Sequence, residues 1–225
     1  MSFVEHTFTW RAAPLFPSHY LIDFMKLRAS LATLIFLTLV VGDQIIKYLV
    51  KTGMSLGERI HVTDWFYILF TENHGMAFGM DFIGTAVLSV FRVAAIVLFT
   101  VVLVKQIRRG APLGFVACLT LIIAGAFGNI IDNFFYGLCF TESLPYTPGA
   151  SPAHCVQMGE GYGSFLHGRV VDMFYFPFFT WPDWVPVLGG GTFFGAIFNL
   201  ADSAISVGAA AMLLFSYKYL SVLMG

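Results

Sequence analysis

A chain of 225 residues that is 58% hydrophobic, 11% charged and of mean hydropathy +0.80 cannot cover itself with a water-facing surface; soluble domains carry about 25% charged residues. Lipid must be the solvent for much of this protein. The net charge of −1 gives no basic footprint for nucleic acid, so a nucleic-acid partner is excluded.

Residues 1–24 are neither a spanning stretch nor a charged signal n-region. They read as an N-terminal extension ahead of a natural-looking start at Met25-Lys26-Leu27-Arg28. A single membrane domain is then expected over 25–225. No small-residue cleavage pattern ends the first apolar stretch, which argues for a retained helix over a cleaved signal. A spanning helix needs about 20 mostly apolar residues. Segments of that kind run over about 29–50, 82–104, 112–135 and 196–219, predicting an all-α, four-transmembrane-helix bundle. Between the first two, Ile60, Val62, Trp65, Tyr67, Leu69 and Phe70 are mostly strand formers. They predict a small extracytoplasmic β element with a turn through Gly75 and Gly79. The segment 136–195 is rich in Gly, Pro and aromatics, including Trp181 and Trp184, suited to a membrane–water interface.

Positive charge sets the orientation. Arg11, Lys26, Arg28, Lys105, Arg108, Arg109 and Lys218 fall on one side, and only Lys51, Arg59 and Arg169 on the other. Both termini of a multi-pass protein are therefore expected in the cytoplasm. On that topology the polar residues of separate segments converge near the outer leaflet. Asp43 and Lys47 sit late in the first span, Asn129 and Asp132 late in the third, Asn199 and Asp202 at the start of the fourth. Asn73 and Asp172 lie in the two outer segments. Ionisable groups in spans are costly and mark function. The spacing of three in Asn129/Asp132 and Asn199/Asp202 puts an amide and a carboxyl on one helix face. Blander roles stand beside this: Asn199 suits a helix N-cap, and Asp43/Lys47 an i,i+4 ion pair.

The ordered stretches Val41-Gly42-Asp43-Gln44-Ile45-Ile46-Lys47, Glu72-Asn73-His74-Gly75-Met76-Ala77-Phe78-Gly79, Gly128-Asn129-Ile130-Ile131-Asp132, Gly168-Arg169-Val170-Val171-Asp172-Met173-Phe174 and Phe198-Asn199-Leu200-Ala201-Asp202-Ser203 resemble the motifs of bacterial lipoprotein signal peptidase, or signal peptidase II. The resemblance covers about residues 25–220. It implies an aspartic endopeptidase whose catalytic pair is Asp172 and Asp202. Support or substrate binding would come from Asp43, Lys47, Asn73, Asn129, Asp132, Arg169 and Asn199. The implied substrate is a prolipoprotein, cut just before its diacylglyceryl-cysteine, with membrane lipid and the family's cyclic-peptide inhibitors as further partners. This chain departs from the pattern at Asn133, where the family usually has Arg, and in the long segments 138–167 and 177–195, expected to cover or line the outer face of the site.

Two carboxyls in contact cannot both ionise, so they share a proton and can act together as base and acid on an amide. The neighbouring Asn side chains are expected to donate hydrogen bonds that hold the peptide extended. A serine–lysine reading through Ser203 and Lys47 is weaker, because Ser203 follows Asp202 on a helix and points about 100° away. No His-Glu-x-x-His or Gly-x-Ser-x-Gly pattern occurs. A non-enzymatic proton-linked transporter or scaffold is the alternative class, without the internal repeat typical of transporters. No cofactor and no metal are expected, since the histidines are scattered singly. Arg92 has no assigned role. A mid-span charge costs about 2.5–3.5 kcal/mol, so it should face the bundle and pair with an acid such as Asp132, unless its helix begins later than drawn. Cys139 and Cys155 face an oxidising compartment on this topology and are expected to form a disulfide closing the 138–167 loop.

Overall fold

The computed structural model describes residues 18–73 and 85–215, and about half of the chain is helical. Helix α1 spans Ser18–Gly53, α2 Thr85–Arg108 and α3 Leu113–Ile131. A π-helical turn, Asp132–Tyr136, and a short α4, Gly137–Cys139, continue α3. The last helix is α5, Leu200–Phe215. Three of the helical stretches are long and apolar enough to cross a membrane: Ile22–Gly53, Ser89–Arg108 and Leu113–Cys139. The described part of α5 is apolar but shorter, and the expected span end at 216–219 lies outside the described residues. Helix α1 begins well before Ala29, so residues 18–24 of the expected extension are helical and continuous with the first span.

Helix α3 is the centre of the bundle, packed by α1, α2 and α5. Small residues let α5 approach it. A Cβ on Gly125 would lie 2.3 Å from the Ala201 carbonyl oxygen, and one on Gly208 would lie 2.7 Å from that of Cys118. Close backbone contact through Gly and Ala is how helices associate where lipid removes the hydrophobic drive. The apolar core toward one end is built from Ala32, Leu103, Phe115, Val116, Leu119 and Ile123. Arg28 closes that end, its Nε donating to Ala111 O at 2.7 Å in the α2–α3 turn. The outward faces carry exposed Leu34, Leu37, Val41, Ile45 and Leu49 on α1, and Val90, Phe91, Val97, Leu98 and Val101 on α2. Apolar stripes of that extent on water would be an aggregation liability; against acyl chains they are the expected surface.

The opposite end carries a four-stranded antiparallel sheet in the order β1-β2-β3-β6, from β1 Arg59–Thr63, β2 Phe66–Asn73, β3 Val170–Tyr175 and β6 Ile197–Phe198. A two-residue pair, β4 Phe179–Thr180 with β5 Thr192–Phe193, stands apart. The sheet is larger than the expected β element, because β3 and β6 join it from the second long segment. The expected turn residues Gly75 and Gly79 lie outside the described residues. The all-α expectation therefore needs a mixed description: apolar helices with a small sheet at one end. Alternation along β3 sorts its side chains between two faces. Val171 and Met173 are fully buried with Val50, Met54, Phe70 and Phe140, and period-two geometry sends Asp172 to the other face.

The segment 138–167 is tied to the α1–β1 corner. Leu56 N donates to Leu144 O at 2.9 Å and Tyr146 N to Leu56 O at 2.8 Å. Beneath these bonds, buried Lys51 donates to Glu72 and Ser143, and Arg169 bridges Glu72 (3.2 Å) and Glu142 (3.1 Å). The expected Cys139–Cys155 disulfide is not formed; both thiols are free. Register gives the reason. Phe140 is the residue opposite Cys155, and Val156 N bonds Cys139 O at 2.8 Å. The two cysteines are thus offset by one residue across this bridge. Cys139 Sγ meets Met158 Sδ at 3.6 Å instead.

Candidate active site

The polar residues of α1, α3, β3 and α5 meet where the sheet joins the bundle. Asn199 caps α5. Its Oδ1 accepts Asp202 N at 2.8 Å, and its own N–H reaches back to Asp202 Oδ2 at 3.4 Å, a reciprocal cap three residues apart. Capping also starts the helix at Leu200, four residues later than expected, since 197–198 pair with β3. Asn199 Nδ2 donates to Asp172 Oδ1 at 2.6 Å and lies 3.1 Å from Asn129 Oδ1. Asn129 Nδ2 donates to Asp202 Oδ1 at 2.7 Å. One amide pair thus links the two carboxyls from different elements. The Asn73 side chain also hydrogen-bonds Asp172. Asp172 is buried, at 2% exposure.

A buried ionic layer fixes this amide pair. Lys47 Nζ contacts Asp43 (2.9 Å), Asp132 (2.8 Å) and the Asn129 Oδ1 (2.8 Å), with all four side chains essentially out of solvent. Asp43 Oδ1 accepts Ala201 N at 2.9 Å, so a carboxylate from α1 holds the positive end of α5. Asp132 Oδ2 accepts Val171 N at 3.2 Å, fixing β3 one residue before Asp172. The i,i+4 pair expected for Asp43 and Lys47 exists, but it is one side of a three-helix junction.

Asp132 opens the π-helical turn, which re-aims the end of α3 so that Asp132 faces β3 while Asn133 Nδ2 donates to Gly168 O at 2.8 Å. Gly168 sits where no side chain fits: a Cβ there would lie 1.9 Å from Asp132 O. Gly168→Ala must therefore push the start of β3 off the turn. A displacement near 1 Å at a reacting group costs about 10²-fold in rate. If the chain is the peptidase that its motifs imply, a loss of that order in cleavage rate is the expected outcome in detergent-solubilised protein, and an unchanged rate would show that the β3 contact does not set the geometry.

Of the residues expected here, Asp172, Asp202, Asn73, Asn129, Asn199, Asp43, Lys47 and Asp132 come together. Arg169 does not: its guanidinium lies with Glu72, Glu142 and the Tyr162 ring in the anchor of the 138–167 segment. His74–Gly79 of the second motif lie outside the described residues. Gln44 is a further member that the sequence pattern does not mark as a site residue; its Nε2 reaches Asp132 Oδ1 (2.9 Å) and Gly128 O (3.1 Å). Its place beside Asp43 is the one signal that could have found it. Arg92 faces the bundle, as its cost in lipid required, but its NH1 donates to Asn133 Oδ1 and not to Asp132. Ser203 Oγ donates to Asn199 O at 2.9 Å, while Lys47 is engaged by two acids, which leaves the serine–lysine reading without a contact. Among the described residues no metal-holding cluster of His, Cys, Asp and Glu occurs.

Comparison with known proteins bears directly on this arrangement. A family model described as Signal peptidase (SPase) II matches residues 35–218. The lipoprotein signal peptidase of Porphyromonas gingivalis is 46% identical over 198 residues, covering 86% of this chain and 85% of the relative. That of Allorhizobium ampelinum is 35% identical, covering 81% and 85%. Among solved structures, a bacterial membrane enzyme determined by the in meso method at 2.3 Å shares the fold with a TM-score of 0.54 at 22% identity, over 84% of this chain and 89% of that one. With the family matched across most of its length and its motif residues gathered into one buried cluster, the chain belongs to the signal peptidase II family.

Proposed function

We propose that this protein is an aspartic endopeptidase of the membrane that removes the signal peptide from prolipoproteins, cutting before the diacylglyceryl-modified cysteine. The observation that carries this reading is the amide pair Asn199–Asn129, which holds Asp172 and Asp202 as one unit at the sheet end of the bundle. In this reading α5 belongs to a fourth span. The basic end with Lys26, Arg28, Lys105, Arg108 and Arg109 faces the cytoplasm, and the sheet end faces outward. The precursor's apolar signal helix then arrives by lateral diffusion, with its cleavage point at the depth of the two carboxyls.

The chemistry rests on unequal protonation. Burial first, then the nearby negative charge of Asp202, pushes Asp172 up to about 7. Asp172 thus carries the shared proton and Asp202 is the base. Asp202 takes a proton from water as the water oxygen bonds the scissile carbonyl carbon, and Asp172 gives its proton to the carbonyl oxygen. The tetrahedral intermediate collapses when the proton on Asp202 passes to the amide nitrogen. The C–N bond then breaks, and the new carboxyl returns a proton to the pair. Since the productive form needs the proton on Asp172, activity falls as pH rises through about 7, approaching a tenfold loss per unit above it. A rate–pH profile on a micellar substrate checks this, and a rate still climbing to pH 9 would reverse the assignment.

The reaction itself is tested with a synthetic precursor peptide bearing diacylglyceryl-cysteine. Cleavage at the residue before the cysteine is expected, blocked by a cyclic-peptide inhibitor of the family. No cleavage of this precursor by well-folded protein would remove the reading and favour a proton-linked transporter.

A further inference from the structure

Arg92 is a charge in a spanning helix for which neither the fold nor the dyad chemistry has a use. It lies about two turns inside the sheet-side start of α2, partly buried and turned toward the bundle. A structural charge in that position is normally neutralised by an acid. Arg92 forms no ion pair within 4 Å among the described residues, although the charges of Asp202, Asp132 and Asp172 all reach it, Asp202 most strongly. Its hydrogen-bond partner is a neutral amide, Asn133 Oδ1, and Asn133 is itself fixed by donating to Gly168 O. The guanidinium is thus held against the turn that carries Asp132 and leads to β3, without being cancelled.

The donor inventory around the site gives that placement a meaning. An extended peptide entering a lipid-walled cleft brings carbonyl oxygens that need N–H or O–H partners. Amides around the site are turned inward. Asn199 Nδ2 serves Asp172 and Asn129, Gln44 Nε2 serves Asp132 and Gly128, Asn129 Nδ2 serves Asp202, and Asn133 Nδ2 serves Gly168. A guanidinium has five N–H groups in a planar fork, and among the described residues Arg92 spends one on Asn133.

We infer that Arg92 is a substrate-binding residue whose guanidinium N–H groups not engaged by Asn133 take a carbonyl oxygen of the precursor beside the scissile bond. The inference rests on the reading of Asp172 and Asp202 as the catalytic pair. The carbonyl has two possible sources with the same chemistry, the peptide main chain and the acyl esters of the lipid.

Steady-state kinetics of Arg92→Gln and Arg92→Lys on the diacylglyceryl precursor separate the outcomes. With Arg92→Gln, KM should rise tenfold or more while kcat stays within threefold and the melting temperature is unchanged. Arg92→Lys should recover only part of the loss, because a single ammonium cannot hold Asn133 and a carbonyl in one plane. An ether-linked lipid on the precursor distinguishes the sources. If the variant still raises KM on the ether substrate, the contact is to the peptide; if the wild type loses affinity on that substrate and the variant loses no more, the contact is to an acyl ester. An unchanged KM with lowered melting temperature in both variants would make Arg92 a structural strut and overturn the inference. Failure of the dyad reading would register separately, as turnover surviving Asp172→Asn with Arg92 intact.

Discussion

Asp172→Asn and Asp202→Asn should each lower turnover of a lipid-modified precursor by about 10²–10⁴-fold, the range spanned by general acid–base groups. Folding should survive. Asparagine has nearly the shape of aspartate, and its amide oxygen can still accept from Asn199 Nδ2 at position 172 or from Asn129 Nδ2 at position 202, the bonds now made at 2.6 and 2.7 Å. What each amide cannot do is exchange a proton with water or with the scissile carbonyl. Circular dichroism and a melting curve in detergent would establish that the variants are folded, after which single-turnover cleavage gives the chemical rate. Turnover near wild type in either variant would take that residue out of the mechanism.

Lys47→Met should instead act on stability. The methionine fills much of the same volume but leaves Asp43 and Asp132, both fully buried, facing each other without the cation they share. Breaking a buried ionic group by deleting one partner costs about 3–5 kcal/mol. For a chain of this size that corresponds to a fall of roughly 6–20 °C in melting temperature. Activity should fall with it, because Lys47 also holds Asn129 Oδ1 at 2.8 Å and Asn129 holds Asp202. Adding Asp132→Asn to the methionine variant removes one of the stranded acids and should recover part of the stability. A melting temperature unmoved by Lys47→Met would show that the layer is solvated and that Asp132 orients β3 through its Val171 contact alone.

The two effects differ in kind because the two layers of the cluster differ in solvent and partners. Lys47, Asp43 and Asp132 satisfy one another and four backbone or amide groups, so their charges are consumed in holding α1, α3, α5 and β3 together. Asp172 and Asp202 are each held by amides, with no cation in contact among the described residues. In the proposed mechanism this leaves the proton of the pair free to move, the condition acid–base chemistry needs.

The amino-acid sequence by itself determined the lipid environment, the apolar stretches behind the three long helices, the β character of 59–70 and the identity of nearly every polar residue in the cluster. These are properties of composition, run length and residue type, which need no knowledge of what lies opposite. It also marked Arg92 as a charge requiring an explanation. Only the tertiary structure decided the rest. Asp172 lies on a strand whose partners, β2 on one side and β6 on the other, come from segments distant in the chain. The π-helical turn at Asp132 arises from contacts with Gly168 and β3, not from helix propensity. Arg169, within the motif that carries Asp172, turns to Glu72 and Glu142 because those acids come from β2 and the 138–167 segment. The cysteines miss each other by one register position, a quantity fixed by pairing across the loop. Each of these outcomes depends on a partner distant in the chain, and a partner's position is set by packing, which no window of sequence contains.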